Sequence, residues 1–131
     1  MKNAKIHHVG IIFNEMEKAE AFMEMLGLEE EYRGYVESYR AWCIFLKPNG
    51  GSKVELIVPT EGNLQEYNQG KGGIHHIAYE VDDVEKVRKD MAKMGITLLE
   101  EKAVPGAGNI IVNFMRPRDG KGVLVEFVEN I

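Results

Sequence analysis

Residues 6–11 read Ile6-His7-His8-Val9-Gly10-Ile11, and residues 74–79 read Ile74-His75-His76-Ile77-Ala78-Tyr79. The two stretches are one pattern written twice, 68 residues apart from His8 to His76. The same offset carries the next segment of chain. Asn14 and Glu17 map to Asp82 and Glu85, each pair spaced as the N-cap and N3 of a capping box. Met16, Ala19, Met23 and Leu26 map to Val84, Val87, Met91 and Met94. Each set recurs at helical spacing, so each copy places one apolar helix face after its first strand. Gly27 and Gly95 then stand where a helix ends in the left-handed conformation.

Three strand-like stretches come after each helix, near 30–37, 40–47 and 53–58 in the first copy and near 97–101, 109–116 and 122–128 in the second. The last strands match as Val54-Glu55-Leu56 and Val125-Glu126-Phe127, now 71 residues apart, so the second copy holds about three extra loop residues. Pro48-Asn49-Gly50-Gly51 and Arg118-Asp119-Gly120-Lys121-Gly122 are turn sequences. The reading is an α+β single domain over 1–131: a βαβββ module at 5–58, a polar linker at 59–73 and a second module at 74–128. One helix covers only one face of its sheet. Two modules side by side therefore predict a concave mixed sheet with the helices outside and a cleft built from both halves.

Alternation along each strand decides which side chains face that cleft. Val9, Ile11 and Phe13, then Ile77, Tyr79 and Val81, form apolar sets suited to the helices. So do Val54, Leu56 and Val58, and Val123, Val125 and Phe127. The opposite parity puts His8, Glu55, His76 and Glu126 together on the concave face, with Gly10, Ala78 and Glu80, and assigns His7 and His75 to the helix side. A carboxylate on an apolar strand is costly to desolvate unless it is paired or bound to a cation. Two imidazoles and two carboxylates suit one divalent ion, Zn, Co, Mn, Ni or Fe, and do not choose among them. Two salt-bridged His–Glu pairs without a metal would satisfy the same pattern.

Composition narrows the class. The 131 residues carry a net charge of −5, which disfavours a general attraction to nucleic acid or anionic membrane. Cys43 is the only cysteine, so neither an intrachain disulfide nor a Cys-rich zinc site can form. No apolar run approaches membrane-spanning length and no signal-peptide pattern is present, so a cytoplasmic location is expected.

With these residues in place, the sequence resembles the vicinal oxygen chelate superfamily of glyoxalases, extradiol dioxygenases, bleomycin resistance proteins and epimerases. Lys71-Gly72-Gly73-Ile74-His75-His76-Ile77-Ala78 and Val81-Asp82-Asp83 are similar to the methylmalonyl-CoA epimerase pattern. So are Pro105-Gly106-Ala107-Gly108, Asn113-Phe114-Met115-Arg116-Pro117 and Gly120-Lys121-Gly122-Val123-Leu124-Val125-Glu126. The resemblance implies metal ligands at His8, Glu55, His76 and Glu126. It further implies epimerisation of methylmalonyl-CoA or a related acyl-CoA through a metal-stabilised enolate, with Glu126 as one acid–base group. The family's second acidic group falls on the strand Ala41-Trp42-Cys43-Ile44-Phe45-Leu46, at Cys43 or Trp42, and Cys43 is the catalytic candidate. Lys47, Lys71, Arg116, Arg118 and Lys121 could meet CoA phosphates at the cleft rim. A lactoylglutathione lyase-like enzyme and a non-catalytic small-molecule binding or resistance protein are the alternatives. Exposed sheet edges make a homodimer the expected assembly.

Overall fold

A computed structural model describes residues 1–131. The chain runs β1 (Ile6–Ile12), α1 (Met16–Leu26), β2 (Glu30–Val36), β3 (Ala41–Leu46), β4 (Lys53–Pro59), β5 (Gly73–Glu80), α2 (Val84–Lys93), β6 (Val104–Pro105), β7 (Ile110–Met115) and β8 (Val125–Asn130). Short 3-10 turns occupy Glu37–Tyr39 and Asn63–Glu66. All strands join one eight-stranded sheet in the order β2-β3-β4-β1-β5-β8-β7-β6. Each half pairs its first and last strands in parallel, β1 with β4 and β5 with β8, and the halves meet through antiparallel β1 and β5. The duplication thus places its pseudo-twofold axis between the two His-containing strands.

Three apolar clusters arise from the strand parities. Ala19 and Met23 of α1 pack on Ile44, Leu46, Leu56 and Val58, while Val84 and Val87 of α2 pack on Val81, Leu98, Val125 and Phe127. Each fully buried large apolar side chain of this kind contributes roughly 1.5–3 kcal/mol by leaving water. The third cluster lies on the concave face, where Ile12, Cys43, Phe45, Ile57, Ala78, Val112 and Val128 meet. Here the sheet curls until its two edges approach. Gly34 of β2 faces Ala107, and Tyr32 lies against Gly108. The result is a nearly closed cup with both helices on the outside. No helix is long and apolar enough to cross a membrane.

The structure corrects several local expectations. Residues 97–101 form no strand; the short β6 lies at Val104–Pro105 instead. The buried Asn113 explains this. Its side chain accepts from Glu100 N–H and donates to Glu100 C=O, both at 3.0 Å, and Leu99 N–H donates to Phe114 C=O at 2.7 Å. Side-chain bonds therefore replace the ladder that a strand would need. β8 starts at Val125 rather than near 122, which leaves Val123 in the turn and half exposed.

Both helix starts lie one residue later than the capping-box spacing implies. Glu15 is the N-cap of α1 and makes no side-chain cap bond, while Asp83 caps α2 by accepting from Lys86 N–H at 3.1 Å. Asn14 serves the tertiary structure instead, donating to Gly70 C=O at 2.6 Å. Leu26 and Met94, placed on the apolar faces by their spacing, lie exposed in or just after the last turn, where each helix runs past the edge of its cluster. Gly27 takes the left-handed conformation at φ 66°, and its N–H reaches back to the last turn of α1.

Candidate metal centre and active-site cleft

β1 and β5 form the floor of the cup, flanked by β4 on one side and β8 on the other. Each of these four strands contributes one polar side chain to the floor: His8, His76, Glu55 and Glu126. All four are buried, His8 to 1% exposure and Glu126 to 5%. Glu126 Oε1 lies 2.9 Å from His8 Nε2 and 3.1 Å from His76 Nε2. The two Nε2 atoms are 3.1 Å apart. Glu55 Oε1 stands slightly further out, at 3.4 and 3.7 Å from the same nitrogens.

These distances describe a triangle of donor atoms with nearly equal sides. Cis ligands on an ion with bonds of about 2.1 Å lie about 3.0 Å apart when the geometry is octahedral. Glu126 Oε1 is also buried without a hydrogen-bond partner, although both imidazoles are close. The two ring nitrogens also lie within hydrogen-bond distance of each other, so they and Glu126 Oε1 converge on one shared point. Leaving such an acceptor unsatisfied costs about 1–3 kcal/mol or more for a charged group. The residues fit a divalent cation, and His8, His76 and Glu126 form a cluster that could hold one.

The electrostatics agree with a preformed anionic cluster. Burial works against charge on His8, but Glu126 and Glu55 outweigh it and raise the imidazole pKa to about 9. Burial likewise favours the neutral form of Glu126, yet His76 and His8 hold its carboxyl near about 2. Glu126 therefore rests as a carboxylate.

Small residues make room for the rings. Gly10 sits directly across from His76 in the β1–β5 register, and Ala78 sits across from His8. A Cβ on Gly10 would lie 2.2 Å from His76 Cε1. Gly10→Ala must therefore swing the His76 ring out of the cluster. We expect at least a tenfold loss of affinity for Mn(II) or Zn(II), with an overpacking cost of about 1–3 kcal/mol in thermal unfolding. Unchanged affinity in calorimetric titration would contradict this geometry.

His7 and His75 depart from their expected side. The β1–β5 pairing skips a residue twice, once at His7 and once at His75. These are β-bulges, which re-aim side chains next to sites. One puts His7 against His8 and Phe45, and the other puts His75 against His76 on the cavity wall. Simple alternation missed them because a bulge breaks the two-residue period. The repeated His-His pair was the signal available.

A cavity opens above the cluster. Glu55, His76 and Glu126 lie at its base, and Val36, Ile57, Leu64, Leu99, Ile110, Val112 and Phe114 supply apolar walls. Cys43 lines it from β3, on the opposite half of the sheet from Glu126. Burial, together with the nearby Glu55 and Glu126 carboxylates, pushes the Cys43 thiol far above its ordinary pKa. Trp42, the other position on that strand, points away and is 38% exposed. Tyr39 was not singled out by sequence. It reaches across the cavity, and its hydroxyl donates to the Glu100 carboxylate while its ring meets Phe114 edge-on.

The profile of the Glyoxalase/Bleomycin resistance protein/Dioxygenase superfamily matches residues 7–114. The chain belongs to this superfamily. Among its relatives is the human mitochondrial methylmalonyl-CoA epimerase, 33% identical over 129 residues, covering 93% of this chain and 72% of the relative. The ethylmalonyl-CoA/methylmalonyl-CoA epimerase of Cereibacter sphaeroides is 35% identical, with 93% and 95% covered. A Streptomyces coelicolor methylmalonyl-CoA epimerase variant in complex with 2-nitronate-propionyl-CoA superposes with a TM-score of 0.85 at 27% identity, covering 97% of both chains. Superfamily membership accounts for the two modules and for the cleft between them.

Proposed function

We propose that this superfamily member interconverts the stereoisomers of methylmalonyl-CoA or a related acyl-CoA. Its cation site would be made by His8, Glu55, His76 and Glu126. The observation that carries the reading is the orphaned Glu126 Oε1 at the point where both imidazoles converge, at the base of an apolar cavity. The relatives' names supply the substrate class. A bound divalent ion would act as a Lewis acid on the substrate oxygens and make the neighbouring C–H more acidic.

The protein's own groups divide the proton work. Glu126 Oε1 faces the two imidazoles and the cation site, so its second oxygen would be the one to accept the α-proton. Epimerisation then needs a proton delivered from the other face. Cys43 stands on the opposite half of the sheet and rests as a thiol, so it would give its proton to the other face of the enolate. The Cys43 thiolate and protonated Glu126 left behind would reset by proton exchange with solvent or by the reverse turnover, in which the thiolate is the base. With a substrate bound, the apolar walls would limit water around the reacting atoms, which strengthens each interaction and limits stray protonation. Of the basic residues expected at the rim, none lines the cavity itself; Lys47 pairs with Glu29, Arg116 donates to Thr97 C=O and Arg118 lies beside Asp119. Lys71 and Lys121 make no ion pair, which leaves them the better candidates for phosphate contacts.

The deciding experiment tracks the α-proton of methylmalonyl-CoA by NMR in deuterated water with metal-loaded protein. Exchange and loss of optical activity are expected together. Cys43→Ala should lower epimerisation by about 10²-fold, the lower range for losing one acid–base group, while exchange of one stereoisomer through Glu126 persists. Absence of exchange, with turnover of the glutathione–methylglyoxal adduct instead, would replace the epimerase reading with a lyase.

A further inference from the structure

Each imidazole of the cluster carries a second imidazole behind it. His7 Nδ1 lies 2.7 Å from His8 Nδ1, and His75 Nδ1 lies 2.8 Å from His76 Nδ1. Consecutive residues of a regular strand point to opposite faces, so such rings should not meet. They meet here because both strands bulge, β1 at His7 and β5 at His75. The two pairs share ring arrangement as well as atoms. Centroids are 5.0 Å apart in both, with the ring planes at 78° and 87°. An irregularity built twice, with the same contact, calls for a common reason.

Hydrogen-bond chemistry supplies one. A bond between two Nδ1 atoms needs a proton on one and a bare lone pair on the other. Nε2 of His8 and of His76 are the atoms that face Glu126, and a nitrogen that binds a cation must be bare. A neutral imidazole with bare Nε2 carries its proton on Nδ1. His8 and His76 are then the donors, and His7 and His75 accept at Nδ1 and hold their own proton on Nε2.

We propose that His7 and His75 are positioning residues, each fixing the ring plane of the neighbouring imidazole and holding a proton on its Nδ1, so that Nε2 is the nitrogen turned to a divalent cation. The direction of the two hydrogen bonds and the cation's part in this rest on the proposed metal site; the two Nδ1–Nδ1 contacts do not. Outer partners of metal-bound histidines are usually carboxylates, carbonyls or water. A neutral imidazole in that place orients the ring without adding negative charge, so the charge of the cluster stays with Glu55 and Glu126.

Two measurements test this. Two-bond ¹H–¹⁵N spectra of the labelled wild-type chain, metal-free and zinc-loaded, locate the ring protons directly. His7 and His75 should be protonated at Nε2 and bare at Nδ1, with His8 and His76 protonated at Nδ1 in both states. A proton on Nδ1 of His7 or His75 in the metal-free protein overturns the proposal whether or not zinc binds. Zinc titrations then compare His7→Phe and His75→Phe with His7→Gln and His75→Gln. Each Phe variant should lose about 10–100-fold in affinity, and the Gln variants, which restore an acceptor, should recover most of it. A folded Phe variant that binds zinc like the wild type also overturns the proposal. Wild-type protein that binds no zinc overturns the metal site instead, and the metal-free spectra separate that failure from this one.

Discussion

Glu126→Gln is expected to slow α-proton exchange by about 10²–10⁴-fold, the range for losing a positioned acid–base group, while the chain stays folded. The substitution keeps the volume of a side chain that is only 5% exposed, so packing of β8 against β5 and β7 should survive. What changes is chemistry. The carboxylate that the two imidazoles hold near about 2 becomes a neutral amide that cannot accept a proton. The variant also loses an anionic donor to the cation, so the rate must be read at saturating metal. A rate within a few-fold of wild type under those conditions would move the base to another residue.

Metal affinity should rise steeply with pH, about tenfold per unit between pH 6 and 8, as expected when binding expels one proton. The direction comes from His8. Its folded-state pKa is raised to about 9, so below that pH the metal-free imidazole holds a proton that a cation must displace. As pH rises toward 9 this competition fades, apparent affinity climbs, and above 9 the contribution of His8 levels off. Glu126, with its pKa near about 2, is already ionised across this window and adds no slope. Calorimetric titrations in two buffers of different protonation enthalpy count the proton directly. Flat affinity from pH 6 to 8 would contradict the geometry that raises His8.

The duplication was legible in the sequence because it wrote the same parities twice. Once Val54, Leu56 and Val58 are assigned to a helix, Glu55 must face the other way, and Val125 and Phe127 fix Glu126 in the same manner. The structure brings both carboxylates to the two imidazoles, and Gly10 and Ala78 prove to be the small residues beneath the rings. Parity failed where backbone regularity failed. The bulges moved His7 and His75, and Asn113 took over the hydrogen bonds of the strand expected at 97–101. Tyr39 was invisible for another reason. It belongs to a 3-10 turn, and its partner Glu100 lies far along the chain in the other half. At α1 the cap lies one residue later than expected because Asn14 bonds Gly70, a tertiary choice that local spacing cannot encode; at α2 the neighbouring Asp83 caps in place of Asp82.

Both the proposed acid–base role of Glu126 and the expected pH dependence call for one cation where the two halves meet. A crystal of the Mn(II)- or Zn(II)-loaded protein, measured at the metal's absorption edge, shows directly whether it is there. One anomalous peak per chain is expected, at about 2.0–2.2 Å from His8 Nε2, His76 Nε2 and Glu126, with Glu55 completing the protein ligands. A loaded, active protein whose peak lies elsewhere, or that has no peak among these four residues, would rule the site out.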